Sequence, residues 1–217
     1  MIAVGTGAAL DMAARGNADA VLVHAPAAEQ AAVERGELVE GRLVMENDFL
    51  LLGPPDDPAG ARTAGDALEA MRRIAATGPF IARGDGSGTD IKEQELWRAA
   101  GIDPAAATGR IETGQGMGAT LLVAEQRRGY TLSDRGTYLA FRSRLTLAPI
   151  AEGSPRLRNP YHAYLVNPAR HPATRRAEAA AFLDFLTAPG TQRLIGEFGV
   201  ARHGRPLFDP AAGPGTR

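Results

Sequence analysis

Arg83, Ser87 and Thr89 fall within one short run, Arg83-Gly84-Asp85-Gly86-Ser87-Gly88-Thr89. Together they offer a planar guanidinium fork, two hydroxyls and a backbone that three glycines leave free to approach a ligand closely. Such a set suits an anion. The free N–H groups at a helix start carry partial positive charge, and Arg83, Ser87, Gly88 and Thr89 would add donors around phosphate-like oxygens. The plainer alternative is a Gly-rich turn in which Ser87 or Thr89 merely caps the helix. Asp85 is the odd member, because an acid beside an anion site repels the ligand unless it pairs with Arg83 or a backbone N–H.

Rival chemistries fit less well. No Gly-Lys-Ser/Thr occurs, so a P-loop is absent, and Gly5-Thr6-Gly7-Ala8-Ala9-Leu10 has leucine where a dinucleotide fingerprint needs a third small residue. A serine hydrolase using Ser87 remains the enzymatic alternative, although Asp85-Gly86-Ser87-Gly88-Thr89 is not Gly-x-Ser-x-Gly and no histidine is placed by sequence as its base. His24, His162, His171 and His203 show no metal-ligand spacing, and with no cysteine in the chain thiolate sites and disulfides are excluded. No cation site, cofactor or carboxylate dyad is read from the chain.

These residues need elements to position them. Phe80-Ile81-Ala82 predicts a strand entering the turn, and Asp90 to Ala100 a helix leaving it. The pattern recurs where Ile2-Ala3-Val4 meets Gly5-Thr6-Gly7, and where Ile111-Glu112-Thr113 meets Gly114-Gln115-Gly116-Met117-Gly118. Further strands are expected at 20–24, 43–45, 47–53, 145–150 and 161–166, and helices at 174–186 and 191–198, with 210–217 a loose tail. The order predicts an α/β protein of two lobes with mixed, mostly parallel sheets: lobe I from 1–53 and 161–217, lobe II from 54–160. In such sheets ligands sit beyond the carboxyl ends of strands, where all three Gly-rich turns fall.

Composition bounds the partners. The 217 residues carry 24 basic and 25 acidic side chains without a basic stripe, which gives no argument for nucleic acid. No apolar run is long enough to span a bilayer, and Met1-Ile2-Ala3-Val4-Gly5 is not a secretory signal, so the chain as written reads as cytoplasmic.

The chain resembles the substrate-binding proteins of tungstate ABC importers, a branch of the periplasmic binding protein superfamily. The resemblance rests on Ala3-Val4-Gly5-Thr6-Gly7, Arg15-Gly16-Asn17-Ala18-Asp19, Asn47-Asp48-Phe49, the 83–89 run, Gly114-Gln115-Gly116-Met117-Gly118, Tyr130 to Tyr138 and Asn159-Pro160-Tyr161, in this order. It implies a non-enzymatic, periplasmic-binding-protein-like monomer, periplasmic or lipid-anchored outside the cell, whose two lobes close over tungstate or molybdate and deliver it to a membrane permease. A WO4 or MoO4 dianion has only acceptor oxygens, so it calls for dense N–H and O–H donors; the resemblance implies Arg83, Ser87, Gly88 and Thr89 for these, joined by Thr6 and Gly7 from the first lobe and by Gln115 or Thr131. By the same resemblance the chain is N-terminally truncated: lobe I lacks its usual first strand, whose hydroxyl-rich end supplies about half of the donors. Ala25 stands where the family tends to have aspartate and Asp90 where it tends to have histidine. A late-starting reading frame, a leaderless sensor and a decayed copy that no longer binds are the three explanations.

Overall fold

The computed structural model describes residues 1–105, 107 and 109–212; the last part of the expected tail, 213–217, lies outside the described residues. In chain order the first elements are α1 (Thr6–Ala14), β1 (Ala20–Val23), α2 (Pro26–Glu34), β2 (Leu38–Gly53), α3 (Ala67–Thr77), β3 (Phe80–Ala82), α4 (Gly88–Ala99), β4 (Arg110–Glu112) and α5 (Met117–Arg127). They continue with β5 (Thr131–Asp134), α6 (Arg135–Phe141), β6 (Ala148–Ala151), β7 (Arg158–Val166), α7 (Arg176–Thr187), α8 (Pro189–Glu197), α9 (Val200–His203) and β8 (Asp209–Pro210). Two compact units result, Met1–Asn47 with Asn159–Arg217, and Asp48–Arg158. The chain passes between them within β2 and at the first residue of β7.

In the first unit β7 lies between β1 and β2, with Ala20 opposite Leu165 and Val23 opposite His162. Alternation along β1 turns Val21 and Val23 inward against Ala13, Ala32, Leu38 and Val166. A second cluster joins Val44 to Ala163, Leu165, Ala179 and Leu183.

In the second unit the run Phe49 to Leu52 is buried on both faces, which is why it is apolar throughout rather than alternating. Phe49 and Leu51 pack on one side with Met71, Ile74 and Trp97, while Leu50 and Leu52 pack on the other with Met117, Leu121 and Tyr138. β5 and β6 flank β2, and β3 runs parallel to β4, with Phe80 also bridging in parallel to Tyr130, the residue just before β5. Trp97 meets Phe80 edge to face at 5.1 Å, fixing α4 on the strand that feeds the donor turn.

Three sequence expectations need correcting. Parallel pairing is the minority among the described residues, since β2 is antiparallel to β5, β6 and β8, and β1 to β7. β2 pairs with strands far along the chain, so its sense is not set by the alternation of strand and helix. Ile2-Ala3-Val4 forms no strand: Ile2 is 68% and Val4 48% exposed, and β propensity alone makes no ladder without a partner. Residues 43–45 and 47–53, expected as separate strands, belong to one continuous β2.

Candidate functional site

The turn from β3 into α4 is shaped by Gly84 and Gly86, at φ of 63° and 68°, a region costly for any residue with a Cβ. Ser87 is the N-cap of α4, its Oγ accepting from Asp90 N–H at 3.3 Å. With that bond made, the N–H groups of Gly88 and Thr89 are left without a hydrogen bond among the described residues, as the first turn of a helix requires. Ser87 and Thr89 are buried, and Arg83 Nε is buried without a partner among the described residues. The expected donors Arg83, Ser87, Gly88 and Thr89 thus meet at one helix start.

Two carboxylates share this turn. Asp85 Oδ2 takes the Arg83 guanidinium and its Oδ1 accepts Ser87 N–H at 3.1 Å, the pairing its position demands. Burial pushes the Asp85 carboxyl up, but hydrogen bonds from the Ser87 hydroxyl and N–H and the charge of Arg83 outweigh it, leaving the group below its usual value. Asp90 Oδ2 accepts Gly86 N–H at 2.9 Å.

Sequence reasoning missed the support behind the turn. Arg110 Nε on β4 bonds Glu93 Oε1 at 2.8 Å, and the same guanidinium reaches Glu112 and lies 3.9 Å from Asp90 Oδ1. Burial raises the Glu93 pKa, opposed by Arg110 and Trp97 and reinforced by the charge of Asp90. A signal existed: Glu93 and Trp97 are four apart on α4 and bond at 3.1 Å, which marks a polar atom on the helix's buried face.

The other candidates are placed separately. Thr6 opens α1 in the first unit and is buried, with Gly5 as an N-cap that makes no side-chain bond, so the N–H groups of Thr6 and Gly7 lack partners among the described residues. Thr6 Oγ1 accepts His24 N–H at 3.4 Å. Gln115 is exposed ahead of α5, whose N-cap Gly116 also lacks a side-chain bond. Thr131 Oγ donates to the Ile81 carbonyl at 2.7 Å, so its one hydroxyl proton serves the sheet.

All four histidines belong to the first unit, whereas Ser87 lies in the second and its Oγ already accepts a backbone N–H. Among the described residues there is no group of three or more His, Asp or Glu able to hold a metal ion, and no helix long and apolar enough to cross a membrane.

The PBP superfamily domain matches residues 1–189. A tungstate-binding protein TupA of Peptoclostridium acidaminophilum is 40% identical over 215 residues, covering 98% of this chain and 75% of the relative. The chain belongs to the PBP superfamily and, within it, to the tungstate-binding TupA family. A protein of Haloferax volcanii named for anion binding in an ABC transporter is 43% identical over 217 residues; the alignment takes in 97% of this chain, which spans only 63% of that relative's length. Among solved structures, the TupA of Desulfovibrio alaskensis G20 superposes with a TM-score of 0.81 at 40% identity, over 98% of this chain and 86% of the other. These TupA relatives are binding proteins, not enzymes, and membership in the PBP superfamily agrees with the α/β architecture.

Proposed function

We propose that this chain binds a tetrahedral oxyanion, tungstate first and molybdate second, as the non-enzymatic binding component of an ABC importer. The carrying observation is the start of α4, where the free N–H groups of Gly88 and Thr89 meet Thr89's hydroxyl, Ser87 and an arginine with a buried, unpartnered Nε. A dianion with only acceptor oxygens is what such donors take. Within the first unit, the uncapped start of α1 offers donors of the same kind in the N–H groups of Thr6 and Gly7. Gln115 adds a side-chain amide, and Thr131 acts by holding β3 to β5 rather than by touching the ion. The relatives' tungstate-binding names support the choice of ligand. The partner is a membrane permease, the protein is a monomer, and it works outside the cytoplasmic membrane.

Calorimetric titration of the full-length protein with tungstate, molybdate, sulfate and phosphate tests this. Saturable heat is expected from tungstate and molybdate. Silence with all four oxyanions ends the reading.

A further inference from the structure

The strongest acceptor in the donor turn is one of its own residues. Asp85 holds the Arg83 guanidinium with one oxygen and the Ser87 N–H, at 3.1 Å, with the other. Two donors assigned above to the oxyanion therefore already carry a carboxylate. We infer that Asp85 is a resident anion of this turn, and that an arriving oxyanion binds by taking Arg83 and Ser87 over from it. The inference rests on the oxyanion-binding reading and names the residue that limits affinity at that site.

Carboxylate and dianion are both acceptor-only, and like charges forced together at a buried contact cost several kcal/mol. Among the described residues Arg83 is the one cation that pairs with Asp85. Arg110, on β4 behind the turn, is occupied by Glu93 and Glu112 and faces Asp90, and Asp90 itself holds Gly86 N–H. Glu112 packs against Gly84, where an added Cβ would lie 2.9 Å from its side chain, so that flank is acidic too. The Asp85 side chain already reaches solvent, at 22% exposed, and the next residue, Gly86, borders open space where a Cβ would stand. Glycines on both sides lower the barrier to swinging the residue outward. The depressed carboxyl of Asp85 agrees with a pairing that stabilises the ligand-free turn.

Asp85→Asn separates competition from positioning, because asparagine keeps an oxygen for Ser87 N–H but drops the charge that holds Arg83. Sodium tungstate is titrated into the full-length protein and into D85N, and the ligand-free unfolding temperature of each is measured. The expected result is binding about tenfold tighter or more in D85N, from relief of like-charge repulsion, together with a lower unfolding temperature of the free protein. A purely structural Asp85 would lower both affinity and stability. Equal or weaker tungstate binding in D85N, with the wild type binding normally, overturns this inference alone. Absence of binding in both proteins overturns the oxyanion reading and this inference with it. Asp85→Ser, whose hydroxyl can still accept Ser87 N–H, repeats the comparison if D85N folds poorly.

Discussion

Tyr130 Oη donates to Asp57 Oδ1 at 2.8 Å and accepts Ala59 N–H at 2.9 Å, joining two stretches 73 residues apart. Tyr130 is fully buried in the same apolar cluster as Phe80, while its hydroxyl fixes the loop that leaves β2. Burial, with the nearby Asp57 charge, pushes the phenol up to about 12 despite the opposing bond from Ala59 N–H, so it stays a neutral donor. Tyr130→Phe keeps the ring and strands Ala59 N–H. We expect a loss of about 1–3 kcal/mol, the usual cost of an unsatisfied buried partner. Urea unfolding followed by circular dichroism measures it, and an unchanged midpoint would show the bond to be idle.

Arg110 and Glu93 set a larger stake. Their side chains are 8% and 3% exposed, and breaking such a pair leaves a buried charge uncompensated. Arg110→Met should destabilise the second unit by about 3–5 kcal/mol. Glu93→Gln should cost less, since Arg110 then keeps Glu112 and Asp90. Equal unfolding midpoints for wild type and Arg110→Met would show that the pair contributes nothing.

Acid should weaken the fold through groups that can be named. Asp57 is pushed up by burial but pulled below its ordinary 3.8 by Arg62 N–H, Tyr130 and Ala61 N–H. Glu125 is likewise raised by burial, then carried below 4.5 by the Thr146 hydroxyl and the N–H groups of Leu147 and Thr146. A carboxyl depressed in the folded state adds stability above its unfolded pKa and loses it as pH falls through the folded one. Glu93, raised by burial, has the opposite sign and costs stability as pH climbs from 4.5. The urea midpoint should therefore drop on going below about pH 4, and less steeply in Tyr130→Phe, where Asp57 has lost a donor. A midpoint flat from neutrality to pH 3 would refute this account.

Part of this was legible in the sequence. Glycines and hydroxyls between an apolar strand and a helix announced the donor turn, because Gly84 and Gly86 are needed for its backbone and Ser87 for its cap. The apolar run Phe49 to Leu52 likewise announced a strand, although not one continuous with residues 43–45. Strand direction was not legible, since the antiparallel partners of β2 are set by packing between residues from about 80 to 165 positions apart rather than by local pattern. Thr131 looked like a ligand donor until its hydroxyl was found on the Ile81 carbonyl. The Glu93 and Arg110 pair stayed hidden because single charges on a helix and on a short strand usually face water.

Arg83 carries the decisive binding prediction. Its guanidinium is the one cation paired directly at the 83–87 turn among the described residues, and only 16% of the side chain is exposed. Arg83→Ala removes the charged donor and leaves Asp85 facing the ion uncompensated, so tungstate affinity should fall by about 2–4 kcal/mol, or roughly thirty- to a thousandfold. Arg83→Lys keeps the charge without the planar fork and should fall between. Thermal unfolding gives a second reading: at tungstate about a hundred times the wild-type Kd, the ligand adds about 2.7 kcal/mol to the wild type and far less to Arg83→Ala. The two arms of the turn must also couple. If Asp85 opposes the ion by holding Arg83 and by its own charge, the gain from Asp85→Asn in the Arg83→Ala background should differ from its gain alone by 0.5 kcal/mol or more, roughly the scale for residues in contact. Additive effects would mean that Arg83 and Asp85 act on the oxyanion independently.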